Sequence, residues 1–205
     1  MALYFKMLPK ILFAPASSFE EMKGNVTGRE GFVMFLFISV ISMLTFGIIG
    51  GSIDTAFMAV PFGFGNLLNG ANTIVFFTQE VLLLVFSAWI ANKIAIKVGG
   101  SGDFSETLAF FSYARIVNFA KAVVSGIIAV WIYLYSLNAI ELLSKGIEPA
   151  LETFKTMAAV SKLFIFVFIV WLIWIQAEGI VAAHNVKKSR GILISAISFI
   201  LSIIL

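Results

Sequence analysis

The chain has 205 residues, 60% of them hydrophobic and only 12% charged, about half the charged share of an ordinary soluble domain, so water is not its main solvent. A net charge of +3, scattered along the chain, is too small for a nucleic-acid footprint. The absence of cysteine excludes disulfides, thiolate metal sites and cysteine nucleophiles. Phenylalanine, 22 residues in all, occurs from end to end, so the apolar excess is not a single anchor on a soluble domain. These features predict an all-α integral membrane protein. A cytoplasmic amphipathic segment over residues 1–30 precedes a bundle of about five transmembrane helices over residues 31–205.

The N-terminal stretch carries Lys6 and Lys10, Pro9 interrupts its apolar run, and no small-residue cleavage site follows, so a cleaved signal peptide is not expected. Tyr4 to Lys23 reads as an interfacial amphipathic element. Leu8, Ile11, Leu12 and Phe13 supply its apolar face, Pro15 bends it, and Ser18 with Glu21 has capping-box spacing. A bilayer core of roughly 30 Å needs about 20 apolar helical residues. Residues 31–51, 74–97, 116–137 and 158–183 meet that length. The apolar run at the end, Ile192 to Leu205, gives only roughly 20 Å of helix. It spans if Lys188 to Gly191 join it, making a fifth span of 190–205, and if the membrane thins locally.

Between the spans, Val60-Pro61-Phe62-Gly63-Phe64-Gly65 alternates aromatic residues with glycine, and Gly99-Gly100-Ser101-Gly102 forms a turn. Asp103 and Glu106 after that turn have helix-starting spacing. The turn is not read as a phosphate cradle, because it lacks both the Walker lysine and G-x-G-x-x-G spacing.

Orientation follows from the basic residues, which are retained in the cytoplasm. Lys6, Lys10, Lys23 and Arg29 precede the first span, Lys93, Lys97, Arg115 and Lys121 surround the second junction, and Lys187, Lys188 and Arg190 follow the fourth. Lys145, Lys155 and Lys162 fall on the other side, and Ser52 to Thr73 holds no basic residue. The N-terminus is therefore expected in the cytoplasm and the C-terminus on the opposite side.

Ionisable residues at membrane depth usually face the protein interior and find partners. Glu178, Arg115 and Lys121 are placed near the cytoplasmic ends of their spans, which predicts a pair of Glu178 with Arg115 or Lys121. Glu80 and Lys162 lie at similar depth near the outer side and either pair or leave Lys162 to snorkel outward. Such a pair is read first as one that fixes helix register, with a proton or ion relay as the lesser alternative. His184, the one histidine, has no ligand-spaced neighbour, so interfacial hydrogen bonding is expected instead of a metal site. No catalytic elbow, zinc helix or paired aspartates occur, and no enzyme activity or cofactor is expected. Gly47 with Gly51 and Ala122 with Gly126 have the spacing of packing seams.

Three local patterns carry a resemblance to a known family. Lys10-Ile11-Leu12-Phe13-Ala14-Pro15 is followed by Phe19. Gly99-Gly100-Ser101-Gly102-Asp103-Phe104-Ser105-Glu106-Thr107-Leu108 closes with Tyr113-Ala114, and Gly179 to His184 leads into Lys187 to Gly191. In order, they resemble the prokaryotic-type members of the Yip family of small membrane proteins, named for eukaryotic members that interact with Rab-type (Ypt) GTPases. The resemblance implies a five-span fold with a cytoplasmic N-terminus and says little about chemistry. The chain departs from the family where a proline ordinarily follows the tyrosine: Arg115-Ile116-Val117-Asn118 has none, which leaves the expected helix kink without its usual cause.

The reading that follows is a non-enzymatic scaffold or adaptor in the lipid bilayer, with a cytoplasmic protein as partner. Nucleic acid is not expected as a partner, and homo-oligomerisation is not indicated. Its contact surface would hold Lys10, Pro15, Phe19, Asp103, Lys187, Lys188 and Arg190. The rival reading is a small transporter or channel with Glu80, Arg115, Lys121 and Glu178 along its pathway.

Overall fold

A backbone surrounded by hydrocarbon must satisfy its own N–H and C=O groups, which drives a chain this apolar into helices. The computed structural model describes residues 2–54, 70–128 and 147–204, and every regular element among them is a helix. These are α1 (Ala2–Phe13), α2 (Pro15–Met22), α3 (Gly28–Asp54), α4 (Gly70–Lys97), α5 (Phe104–Ala114), α6 (116–128), α7 (Ile147–His184) and α8 (Lys188–Ile204). The Val60 to Gly65 segment, Trp131 and the close of the third expected span lie outside the described residues.

Four stretches are long and apolar enough to cross a bilayer: Gly28–Thr45, Phe77–Lys97, Phe104–Ile128 and Lys162–His184. The third opens well before residue 116, because α5 and α6 form one apolar rod. α8, with 17 residues, is about 25 Å long, less than a ~30 Å hydrocarbon core.

α3, α5 with α6, and α8 run away from one end of the bundle, while α4 and α7 return to it. That end collects the turn between α2 and α3, the turn over residues 98–103 and the turn between α7 and α8. Lys23, Arg29, Lys97, Lys187 and Arg190 all sit there, and we call it the basic end. α5 is the centre of the packing: Ala109, Phe110, Phe111, Ser112 and Ala114 are wholly buried among α3, α4 and α7. α3 crosses α5 at Gly31, where any Cβ would strike the Ala109 backbone. The hairpin of α7 and α8 closes at Gly191, whose Cβ would lie 2.9 Å from the Ala177 carbonyl oxygen. Close approach of this kind replaces the hydrophobic effect as the force between helices in lipid. Ala122 and Gly126 are buried, whereas the side-chain surroundings of Gly47 and Gly51 are not described.

The N-terminal segment packs one face against the bundle and leaves the other exposed. Ile11, Phe19 and Met22 are buried, and the indole Nε1–H of Trp171 donates to the Leu12 carbonyl at 3.1 Å. Phe5 meets Phe37 edge-on with ring centroids 4.8 Å apart, while Phe13 remains 78% exposed. The expected box at Ser18 and Glu21 is not made. α2 begins three residues earlier with Pro15 at its first turn, Ser18 Oγ donates back to the Ala14 carbonyl at 2.8 Å, and Glu21 pairs with Lys10. A box does form at the start of α3. The Thr27 N–H donates to Glu30 Oε2 at 3.1 Å and the Glu30 N–H to Thr27 Oγ1 at 3.3 Å.

The rod of α5 and α6 is interrupted at Arg115 although no proline is present. There the backbone tightens into bonds that reach back three residues: Arg115 N–H donates to Ser112 O at 3.2 Å and Asn118 N–H to Arg115 O at 2.8 Å.

Candidate functional site

The basic end is built by one glycine turn and the helices that close on it. α4 ends where Gly99 adopts φ +93°, a left-handed conformation that side chains resist, and Gly100 N–H returns to the Ala95 carbonyl at 2.9 Å. The turn then presses on the last residues of α7. Ser101 N–H donates to the His184 carbonyl at 3.1 Å, and a Cβ on Gly102 would collide with the Ala183 carbonyl. Asp103 caps α5 as its spacing predicts, accepting the Glu106 N–H at 2.7 Å.

The first turn of α5 holds two further elements. Glu106 does not reach back to Asp103; its Oε1 accepts the Gly24 N–H at 3.0 Å, and Ser105 Oγ accepts the Gly28 N–H at 2.8 Å. The turn before α3 is thereby fixed to α5. Thr107 Oγ1 donates to the Asp103 carbonyl at 2.8 Å and lies 2.8 Å from His184 Nε2. With the Thr107 proton given to Asp103, Nε2–H of His184 is the donor of the second bond. His184, the last residue of its apolar stretch, is thus a buried hydrogen-bonding residue that ties α7 to α5. On the other flank, Arg190 Nη1 donates to the Val98 carbonyl at 2.9 Å, joining α8 to the end of α4. Lys188 Nζ pairs with Glu178 Oε1 at 2.5 Å. All three turns of the basic end are therefore interlocked through α5.

The expected contact residues divide. Pro15 and Phe19 are buried, Phe19 against Phe110 at 4.8 Å between ring centroids, so they anchor the N-terminal segment and present nothing to a partner. Lys10, Asp103, Lys187, Lys188 and Arg190 are exposed.

The intramembrane charges meet differently from the expected pairs. Arg115 Nη1 lies 3.3 Å from Glu80 Oε2, with side chains 8% and 22% exposed. Glu178 takes Lys188, while Lys121 and Lys162 are exposed. The reason is depth. Because α5 starts at Phe104, Arg115 lies about 17 Å from the basic end, within a side chain's reach of Glu80, which is about 25 Å up α4 from Lys97. Glu178 is only about 9 Å from the end of α7, level with the first turn of α8. The sequence signals that were missed are the Thr27-x-x-Glu30 box and the pairing of small residues across α3 and α5, which lie on different helices and have no mutual spacing to read.

Residues 10–205 match the family model described as the Yip1 domain. No curated protein and no solved structure matches the chain. The glycine turn, the start of α5 and the hairpin of α7 and α8, which build the basic end, all fall inside the matched residues. With a match over nearly its whole length and four helices able to cross a bilayer, the chain belongs to the Yip1 domain family and is a multi-pass integral membrane protein.

Proposed function

We propose that the protein is a non-enzymatic scaffold whose basic end faces the cytoplasm and recruits a cytoplasmic protein. The observation that carries this reading is the interlocking of three turns through the first turn of α5. A surface held by Glu106, Ser105, His184 and Arg190 is ordered before any partner arrives, so docking on it forfeits little conformational entropy. The exposed cations Arg29, Lys97, Lys187 and Arg190 outnumber the exposed Asp103 on that surface, which favours an acidic partner face and speeds encounter. Retention of basic residues inside supports the orientation, with α8 as a fifth span in a locally thinned membrane.

Crosslinking in native membranes tests the reading. Replacing Lys187 with Glu is expected to lower recovery of the crosslinked partner about tenfold, a loss of ~1.4 kcal/mol. Unchanged recovery from that variant and from Lys23→Glu would sink the adaptor reading. Tags at Lys23 and Lys188 should report the same compartment.

One observation favours transport as the second reading: an ion pair, Arg115 with Glu80, sits beside a break in a membrane helix. On that reading, protein in sealed liposomes moves protons or ions, and Glu80→Gln abolishes the flux while the fold persists.

A further inference from the structure

A second site lies on the lipid-facing flank of the basic end. Where α4 ends and α8 begins, the two helices part and leave a groove of about 400 Å³, within the ~300–1,000 Å³ of small-molecule sites. Ile94, Leu193 and Ile197 form its apolar walls, and Lys97 and Arg190 stand at its mouth. Lys97 is the last residue of the apolar stretch Phe77–Lys97, so the mouth lies at headgroup level and the walls below it lie in hydrocarbon. Leu193, in the groove wall, is 60% exposed, an apolar surface open to acyl chains.

The charge at the mouth is uncompensated. Lys93 lies one turn deeper than Lys97 on α4, Lys187 stands just before α8, and among the described residues no carboxylate pairs with Lys93, Lys97, Lys187 or Arg190. Arg190 is held in place from one side only, by Nη1 on the Val98 carbonyl, which leaves guanidinium donors for an anion. Basic pockets between membrane helices select anionic headgroups, because each cation near the surface adds attraction for them.

We propose that this groove binds one anionic phospholipid from the adjacent leaflet. Its phosphate is held by Lys97 and Arg190, and one acyl chain lies along Ile94, Leu193 and Ile197. The lipid would join the end of α4 to α8. The site needs no protein partner, so it stands or falls separately from the scaffold reading.

Mass spectrometry of the intact protein released from micelles, titrated with phosphatidylglycerol or with phosphatidylcholine of the same chains, tests the site. The wild-type chain is expected to retain one phosphatidylglycerol about thirtyfold better than phosphatidylcholine, as two cations at the mouth imply. Lys97→Gln should erase most of that preference and Lys97→Arg should keep it. Ile197→Trp, which fills the groove, should lower retention of the lipid with the cations intact. Equal retention of the two lipids by the wild-type chain overturns the proposal without recourse to any variant. Displacement of the bound lipid by millimolar inorganic phosphate would also overturn it, since that result describes an anion site without a chain-binding groove.

Discussion

At the basic end, Gly24, Gly28 and Ser101 each give a backbone N–H to another element, and the Val98 carbonyl accepts from a fourth, whereas at mid-span α4 and the rod of α5 and α6 share an ion pair of side chains, Arg115 with Glu80. The first region is fixed by short-range backbone contacts, and at Gly102 by an approach that glycine alone admits. The second depends on two charges that lipid would punish if separated. Both give the bundle a unique register, but they should fail differently: the first to added volume, the second to lost charge.

The largest effect is expected from added volume at Gly102, where a side chain meets the carbonyl of Ala183, a backbone atom that cannot swing aside. Gly102→Val should destabilise the fold by about 3 kcal/mol or more. Thermal unfolding in detergent reads this directly, and an unchanged midpoint would show that the turn and α7 are not in contact. Next comes Arg115→Met, which leaves Glu80 without its partner. Because Glu80 is 22% exposed, the expected loss is about 2 kcal/mol, below the full range for a sealed pair. Adding Glu80→Gln should restore much of it, and a double variant no more stable than Arg115→Met alone would show that the two side chains are uncoupled. The smallest effect belongs to Lys10 with Glu21, whose side chains are 44% and 55% exposed. Lys10→Gln should change stability by less than about 0.5 kcal/mol, shrinking further in high salt. A loss as large as that of Arg115→Met would mean that α1 is held to α2 mainly by charge.

Much of this contrast was legible in the residues. The lengths of the apolar runs give the helices, the glycine cluster marks the turn, and Asp103 with Glu106 marks the start of α5, because each signal is local to a few residues. The charge pairs were not legible, since a pair depends on the depth of both members. Placing the third span from residue 116 put Arg115 at the membrane edge, when eleven residues of α5 stand between it and the basic end. The burial of Phe19 was hidden for a related reason: amphipathicity shows that a face is apolar and not whether lipid or α5 covers it. The close crossing at Gly31 depends on Ala109, a residue on another helix, and no periodicity in either segment announces it.

The bond between Trp171 and Leu12 joins residues 159 positions apart. During synthesis, α1 leaves the ribosome long before Trp171 exists, so although Phe5 can meet Phe37 of α3 earlier, the seat at Leu12 stays incomplete until α7 has been made. The final third of the polypeptide thus completes a structure that its first dozen residues began. A chain cut short before Trp171 would keep the first three crossings and yet leave its N-terminal helix without the indole that holds Leu12.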